Sequence, residues 1–261
     1  MNWSHATNSL EKVVNAVQDP FINAVECDVM LGVANEDGNP LHDTPILAHP
    51  PNRESDVSVA SLLRRITKQG ESGERVLTKT LKLDFKDIGA VDPTLKLLQA
   101  SNITNPLGKS IILNADILVG PGRRGDTPVP PDDFLQKCLE HIFSCKDKSL
   151  SYSLSLGYMC AWACNEPYHS DDVLMMEELV SRYKLVSHSE IGLVLALNAR
   201  LLSIKPDTFD QFLGLFPQSK ILAWTGTGEP SIPCELVTKI SNHFTSSGMK
   251  DRLDLDCNIT S

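Results

Sequence analysis

Thr80-Leu81-Lys82-Leu83-Asp84-Phe85-Lys86 and Ser110-Ile111-Ile112-Leu113-Asn114-Ala115-Asp116 are two short apolar runs, and the helical pattern Pro93–Gln99 lies between them. Each run has the length of a strand and carries polar residues at its far end. The segment between them is long enough to cross back over a sheet, so the pair reads as parallel strands joined through a helix. The alternation recurs along the chain. Strands are predicted at Asn2–His5, Ala24–Met30, Pro45–His49, Thr80–Lys86, Ser110–Asp116, Ser151–Leu156, Gly192–Leu197 and Lys220–Trp224. Helical patterns fall at Leu10–Val17, Val59–Thr67, Pro93–Gln99, Asp132–Phe143, Asp172–Tyr183, Thr208–Phe216 and Cys234–Phe244. Eight strands with intervening helices in 261 residues match an α/β protein of the (β/α)8 TIM-barrel type, with an open doubly wound sheet as the alternative. No repeat, linker or composition break interrupts the pattern, so residues 1–261 read as a single domain.

Composition sets the outer bounds. At 28.7 kDa, a folded monomer exposes roughly 11,000 Å² where its unfolded chain exposes roughly 42,000 Å², so one large core is affordable. With 41% hydrophobic and 22% charged residues, disorder, collagen and coiled coil are excluded. No apolar run approaches the ~20 residues of a transmembrane segment. Twenty-four basic against 33 acidic side chains give a net charge of −9, which argues against a nucleic-acid partner. The seven cysteines are odd in number and contain no Cys-x-x-Cys, which fits reduced thiols in a cytoplasmic protein. Extracellular residence would require an export signal upstream of Met1. The first strand reaches His5 after only four residues, so either that strand is a stub or the chain begins inside the domain.

The chemistry lies at the strand ends. Strand side chains alternate faces, so Glu26 and Asp28 share one face, as do Lys82, Asp84 and Lys86, and as do Asn114 and Asp116. In a barrel that face is the interior, and the C-terminal strand ends form the active-site mouth. His5, His49 and Trp224 also end predicted strands. Singly, a Glu-x-Asp pair is more often a solvated edge, a strand-end histidine more often a satisfied polar residue, and Trp224 could be a core cap. Jointly they describe a site. Glu26, Asp28 and Asp84 form a hard oxygen set for Mg²⁺ or Ca²⁺, and three such carboxylates are expected to raise one another's pKa. His5 and His49 suit an acid and a base across a scissile bond, and Lys86 can neutralise a phosphate's developing charge. Together these groups suit metal-assisted phosphodiester cleavage. Cys27 points the other way, toward the helix layer.

Other motifs are weaker. Gly108-Lys109-Ser110 has Ile103 where a phosphate loop needs glycine, and Gly-x-Ser-x-Gly does not occur. Cys138, His141 and Cys145 share a helix face but offer no obvious fourth zinc ligand. Arg124-Gly125-Asp126 reads as a loop charge pair inside the surface loop Gly120–Pro131. Asn102-Ile103-Thr104 and Asn258-Ile259-Thr260 are glycosylation sequons only in an exported protein.

Seven ordered motifs resemble the menorin-like domain family. They are Trp3-Ser4-His5-Ala6, Glu26-Cys27-Asp28-Val29, Ala48-His49-Pro50-Pro51, Lys82-Leu83-Asp84-Phe85-Lys86, Leu113-Asn114-Ala115-Asp116-Ile117-Leu118, Ser155-Leu156-Gly157 and Trp224-Thr225-Gly226. That family is similar in turn to phospholipase-C-like phosphodiesterase barrels, including glycerophosphodiester phosphodiesterases and spider-venom phospholipases D. The resemblance implies catalytic roles for His5, His49 and Lys86, and metal ligation by Glu26, Asp28 and Asp84. It also implies Mg²⁺ or Ca²⁺ as cofactor and a small phosphodiester or lysophospholipid-type substrate. Lys82, Asn114, Asp116, Asn198 and Trp224 are the further substrate-facing candidates. Two departures stand out: Cys27 replaces the family's usual alanine, and Asn198 stands where vertebrate members have arginine, with Arg200 nearby. Family roles in neuronal patterning imply an alternative, a non-catalytic barrel that binds a protein partner.

Overall fold

The computed structural model describes residues 1–36, 38–70, 73–105, 107–145, 150–226 and 228–260. The fold is α/β, a nearly closed barrel of eight parallel strands, as the alternation predicts. The barrel strands are β1 (Trp3–Ser4), β2 (Ala24–Glu36), β3 (Thr80–Phe85), β4 (Ser110–Val119), β5 (Ser151–Met159), β6 (Ile191–Asn198), β7 (Lys220–Trp224) and β8 (Leu253–Asp256), adjacent in chain order. The chain clusters into two compact units, one of Met1–Ala115 with Pro128–Ser153, the other of Asp116–Thr127 with Leu154–Ser261.

One predicted strand needs correction, and one barrel strand was not predicted. Pro45–His49 is not a barrel strand: it falls in Asn39–Leu47, which pairs antiparallel with the outer half of β2. The eighth barrel strand is instead β8, which pairs in parallel with β7 from Ile221↔Leu253 to Trp224↔Asp256. The physical reason lies in β2, which runs on through Gly32 for 13 residues. A Cβ at Gly32 would sit 2.4 Å from both the Arg53 carbonyl oxygen and Ile46 Cδ1, so glycine lets a neighbouring backbone close onto the strand. Val33 N–H donates to that carbonyl at 2.9 Å. The hairpin half of β2 has its own small core of Met30, Ala34, Ile46 and Ala48.

In the first unit, helices α1 (Leu10–Gln18), α2 (Val59–Ile66), α3 (Val91–Ala100) and α4 (Pro131–Ser144) flank the strands. The Ser9 and Ser58 side chains accept from Lys12 N–H and Ser61 N–H and so cap α1 and α2. Pro131 with Asp132 and Asp133 in the first turn opens α4, as dipole and N1 preferences expect. Phe85 leaves β3 toward α4 and meets Phe134 edge-on at 5.9 Å. The second unit carries α5 (Ser170–Arg182), α6 (Ala199–Ile204), α7 (Thr208–Leu215) and α8 (Cys234–Ser246). Its core holds Tyr158, Tyr168 and Phe212 in mutual ring contact, with Phe209 against Phe244.

Candidate metal centre

Strand register sets the polar residues of the first unit in two levels. Glu26 is opposite Lys82, while Asp28 is opposite Asp84, which is opposite Asn114. Partners across parallel strands share a face, so all five point into the barrel, where each is at least nine-tenths buried. The result is a cluster in which one oxygen from each of Glu26, Asp28 and Asp84 lies within 4.8 Å of the others. Among the described residues this is the group of side chains suited to hold an ion, and Cys138, His141 and Cys145 do not form a second. His141 Nε2 instead faces Tyr152 Oη at 3.1 Å and Cys145 Sγ at 3.6 Å.

The loop after β1 wraps two of the three carboxylates. Ala6, at φ 48°, turns its N–H onto Glu26 Oε2 at 2.7 Å, and His5 Nδ1 lies 3.5 Å from the same oxygen. Thr7 N–H donates to the Glu26 carbonyl at 2.9 Å. Asn8 grips Asp28 from both ends. Its Oδ1 accepts from Asp28 N–H at 2.9 Å, and its Nδ2 donates to Asp28 Oδ2 at 2.6 Å. Asn8 thus supplies the strand-like partner that β1, ending at Ser4, does not. Neither composition nor alternation pointed to Asn8; its one signal is its place three residues after His5.

On the other side, Lys86 Nζ lies 2.7 Å from Asp84 Oδ2 and 3.2 Å from Asp28 Oδ1. Asn114 Nδ2 donates to Asp84 Oδ1 at 2.7 Å, while Asn114 Oδ1 is buried without a hydrogen-bond partner. The carboxylates do not all raise one another as the sequence suggests. Burial first, then repulsion from Asp28, pushes Glu26 from 4.5 up to about 7 against the opposing pull of Lys82 and His5. Asp84 goes the other way. Burial would raise it, but Lys86, Lys82 and the Lys86 and Asn114 hydrogen bonds outweigh that and hold it below its ordinary value. Cys27, opposite Leu83 on the neighbouring strand, is fully buried, its thiol pushed up by burial and by its two acidic neighbours.

His49 is half-buried beyond the hairpin strand, next to Ala48, whose N–H donates to the Asp28 carbonyl at 3.1 Å. Its Nδ1 is 2.8 Å from the Pro50 carbonyl oxygen, and among the described residues no hydrogen bond joins its ring to the carboxylates. Asp116, Asn198 and Trp224 belong to the second unit. Gly157 leaves room for Asp116, since a Cβ there would lie 2.3 Å from Asp116 Oδ1. Asn198 is opposite Trp224, which is opposite Asp256. The Asn198 amide is engaged at both ends: Oδ1 caps α6 by accepting from Arg200 and Leu201 N–H, and Nδ2 donates to Glu229 Oε1 at 2.6 Å. Glu229, raised chiefly by burial, leaves Oε2 without a partner, and the Trp224 indole N–H is likewise buried without one. Nothing in the pattern around Glu229 marked it in advance.

Comparison with known proteins bears on the whole arrangement. Residues 1–249 match the menorin N-terminal domain. Among similar proteins is Protein FAM151B of Homo sapiens, 26% identical over 250 residues that cover 94% of this chain and 79% of that protein.

Proposed function

This chain belongs to the menorin family, and we propose that its barrel is a metal-dependent phosphodiesterase working by two-histidine acid–base chemistry. The observation that carries the reading is the buried meeting of Glu26, Asp28 and Asp84 from two adjacent strands. Their donor set suits a hard cation. All three offer carboxylate oxygen, Glu26 is raised in part by the charge of Asp28, and the unpartnered Asn114 Oδ1 adds a neutral oxygen beside them. Mg²⁺ or Ca²⁺ held there would supply Lewis-acid polarisation of a phosphoryl oxygen.

The chain's own residues supply the rest. One histidine of His5 and His49 takes the proton from the attacking hydroxyl, of water or of the substrate itself. The other gives a proton to the leaving oxygen. When the substrate's own hydroxyl attacks, hydrolysis of the cyclic phosphate with the roles exchanged resets the pair, and when water attacks the pair resets by proton exchange with solvent. Glu26, whose Oε2 lies 3.5 Å from His5 Nδ1, is placed to orient the His5 ring. Lys86 offsets charge on the phosphate, and Lys82 pulls down the pKa of both Glu26 and Asp84. Small phosphodiesters and lysophospholipids are the substrate classes to test.

A second reading, a barrel that binds a protein partner without turnover, draws on the absence of a hydrogen bond between His49 and the carboxylates among the described residues. A turnover screen over glycerophosphodiesters, lysophospholipids and cyclic nucleotides, in Mg²⁺ and then in EDTA, separates the two. Cleavage that EDTA stops, and that His5→Ala lowers by ~10²–10⁴-fold without loss of fold, is the expected outcome. No turnover on any class would favour the second reading.

A further inference from the structure

The carboxylate cluster already holds a cation of the chain's own. Asp28 Oδ2 is engaged by the Asn8 amide and Asp84 Oδ1 by the Asn114 amide. The oxygens left over, Asp28 Oδ1 and Asp84 Oδ2, are the two that face Lys86 Nζ, at 3.2 and 2.7 Å. A divalent ion drawing one oxygen from each aspartate therefore meets an ammonium between them. Two cations cannot share that position, because like charges at contact distance in a buried site repel strongly. Lys86 has somewhere to go. It lies one residue past the end of β3, its side chain is 20% exposed against 5% and 11% for the two aspartates, and four methylenes let its head swing while the backbone stays put.

We propose that Lys86 is a tethered competitor for the metal position, bridging Asp28 and Asp84 until a divalent cation displaces its ammonium toward the phosphate of an incoming substrate. The inference rests on the metal-dependent reading above and deepens it, because it makes metal and anion binding cooperative through one side chain. Without the metal, Lys86 is spent on the carboxylates and the phosphate lacks both positive groups. With the metal bound, both become available together. Linkage then requires each ligand to tighten the other by the same factor.

Calorimetric titration of the full chain with MgCl₂ tests this, followed by inorganic phosphate with and without Mg²⁺. The proteins are the unmutated chain, Lys86→Met and Lys86→Gln; the glutamine variant decides the matter if the methionine variant does not fold. Both uncharged variants are expected to bind Mg²⁺ about tenfold tighter or more than the unmutated chain, within the usual range of coupling. Mg²⁺ is also expected to tighten phosphate binding less in the variants than in the unmutated chain. If the unmutated chain binds Mg²⁺ and the folded variants bind it equally or more weakly, the competitor proposal is overturned while the metal reading stands. Absence of Mg²⁺ binding in all three proteins would overturn both.

Discussion

Glu26 and Asp84 are buried carboxylates in one cluster, yet their neighbours push them in opposite directions. Glu26 is raised to about 7, while Asp84 is held low by two lysines and an amide that outweigh its burial. Removing each charge should therefore move stability in opposite senses. For Glu26 the native state holds a proton that the unfolded chain releases near 4.5, so its stabilising effect is complete below that pH and is lost as pH rises to about 7. In EDTA at pH 8, Glu26→Gln is expected to be more stable than the unmutated chain and to melt higher, and the gap should close below about pH 4.5. Asp84→Asn is expected to melt lower under the same conditions, since Lys86 and Lys82 lose a counter-charge. Thermal melts across pH read both; a rise in both variants would mean that mutual repulsion dominates the cluster. Residue types and period-two spacing made the three carboxylates legible from sequence. The sign on Asp84 was not, because it depends on where Lys86 ends its reach and on the Asn114 amide one strand away.

Strands show the same division between what a local pattern can and cannot reveal. Thr80–Phe85 and Ser110–Val119 are where their apolar runs place them. Pro45–His49 is strand-like and largely in a strand, but alternation does not distinguish a parallel barrel neighbour from a hairpin partner. Leu253-Asp254-Leu255-Asp256 carries no apolar run that marks a strand, since half its residues are acidic and it is only four long; its role comes from the β7 edge it covers. That strand also lies beyond residue 249, where the family match ends. Truncation after Met249 should expose the edge from Ile221 to Trp224 and remove the N–H of Thr225 from its Asp256 acceptor at 3.1 Å. At ~0.5–1.5 kcal/mol net per lost hydrogen bond, several such losses should lower the melting midpoint by more than ~5 °C and promote association. Circular-dichroism melts and gel filtration measure this, and a truncated monomer with an unchanged midpoint would show that β8 is dispensable.

At the scale of the whole chain, a net charge of −9 attracts any cation, so a metal effect must be told apart from screening. Screening acts on every exposed charge and depends on ionic strength alone. An ion held, as proposed, by Glu26, Asp28 and Asp84 would stabilise the native state because the unfolded chain does not bring them together. At a hundred times its dissociation constant such an ion contributes ~2.7 kcal/mol, and at ~2–4 °C per kcal/mol the midpoint should rise by roughly 5–10 °C. Asp84→Asn should lose most of that rise while responding normally to NaCl, because it removes one proposed ligand and leaves the rest of the acidic surface intact. Melts in EDTA, in Mg²⁺, in Ca²⁺ and in NaCl of matched ionic strength separate the two effects. A rise in NaCl equal to that in Mg²⁺ and Ca²⁺, shared by both proteins, would reduce the cluster to part of a general charge effect and make the partner-binding barrel the better account of the fold.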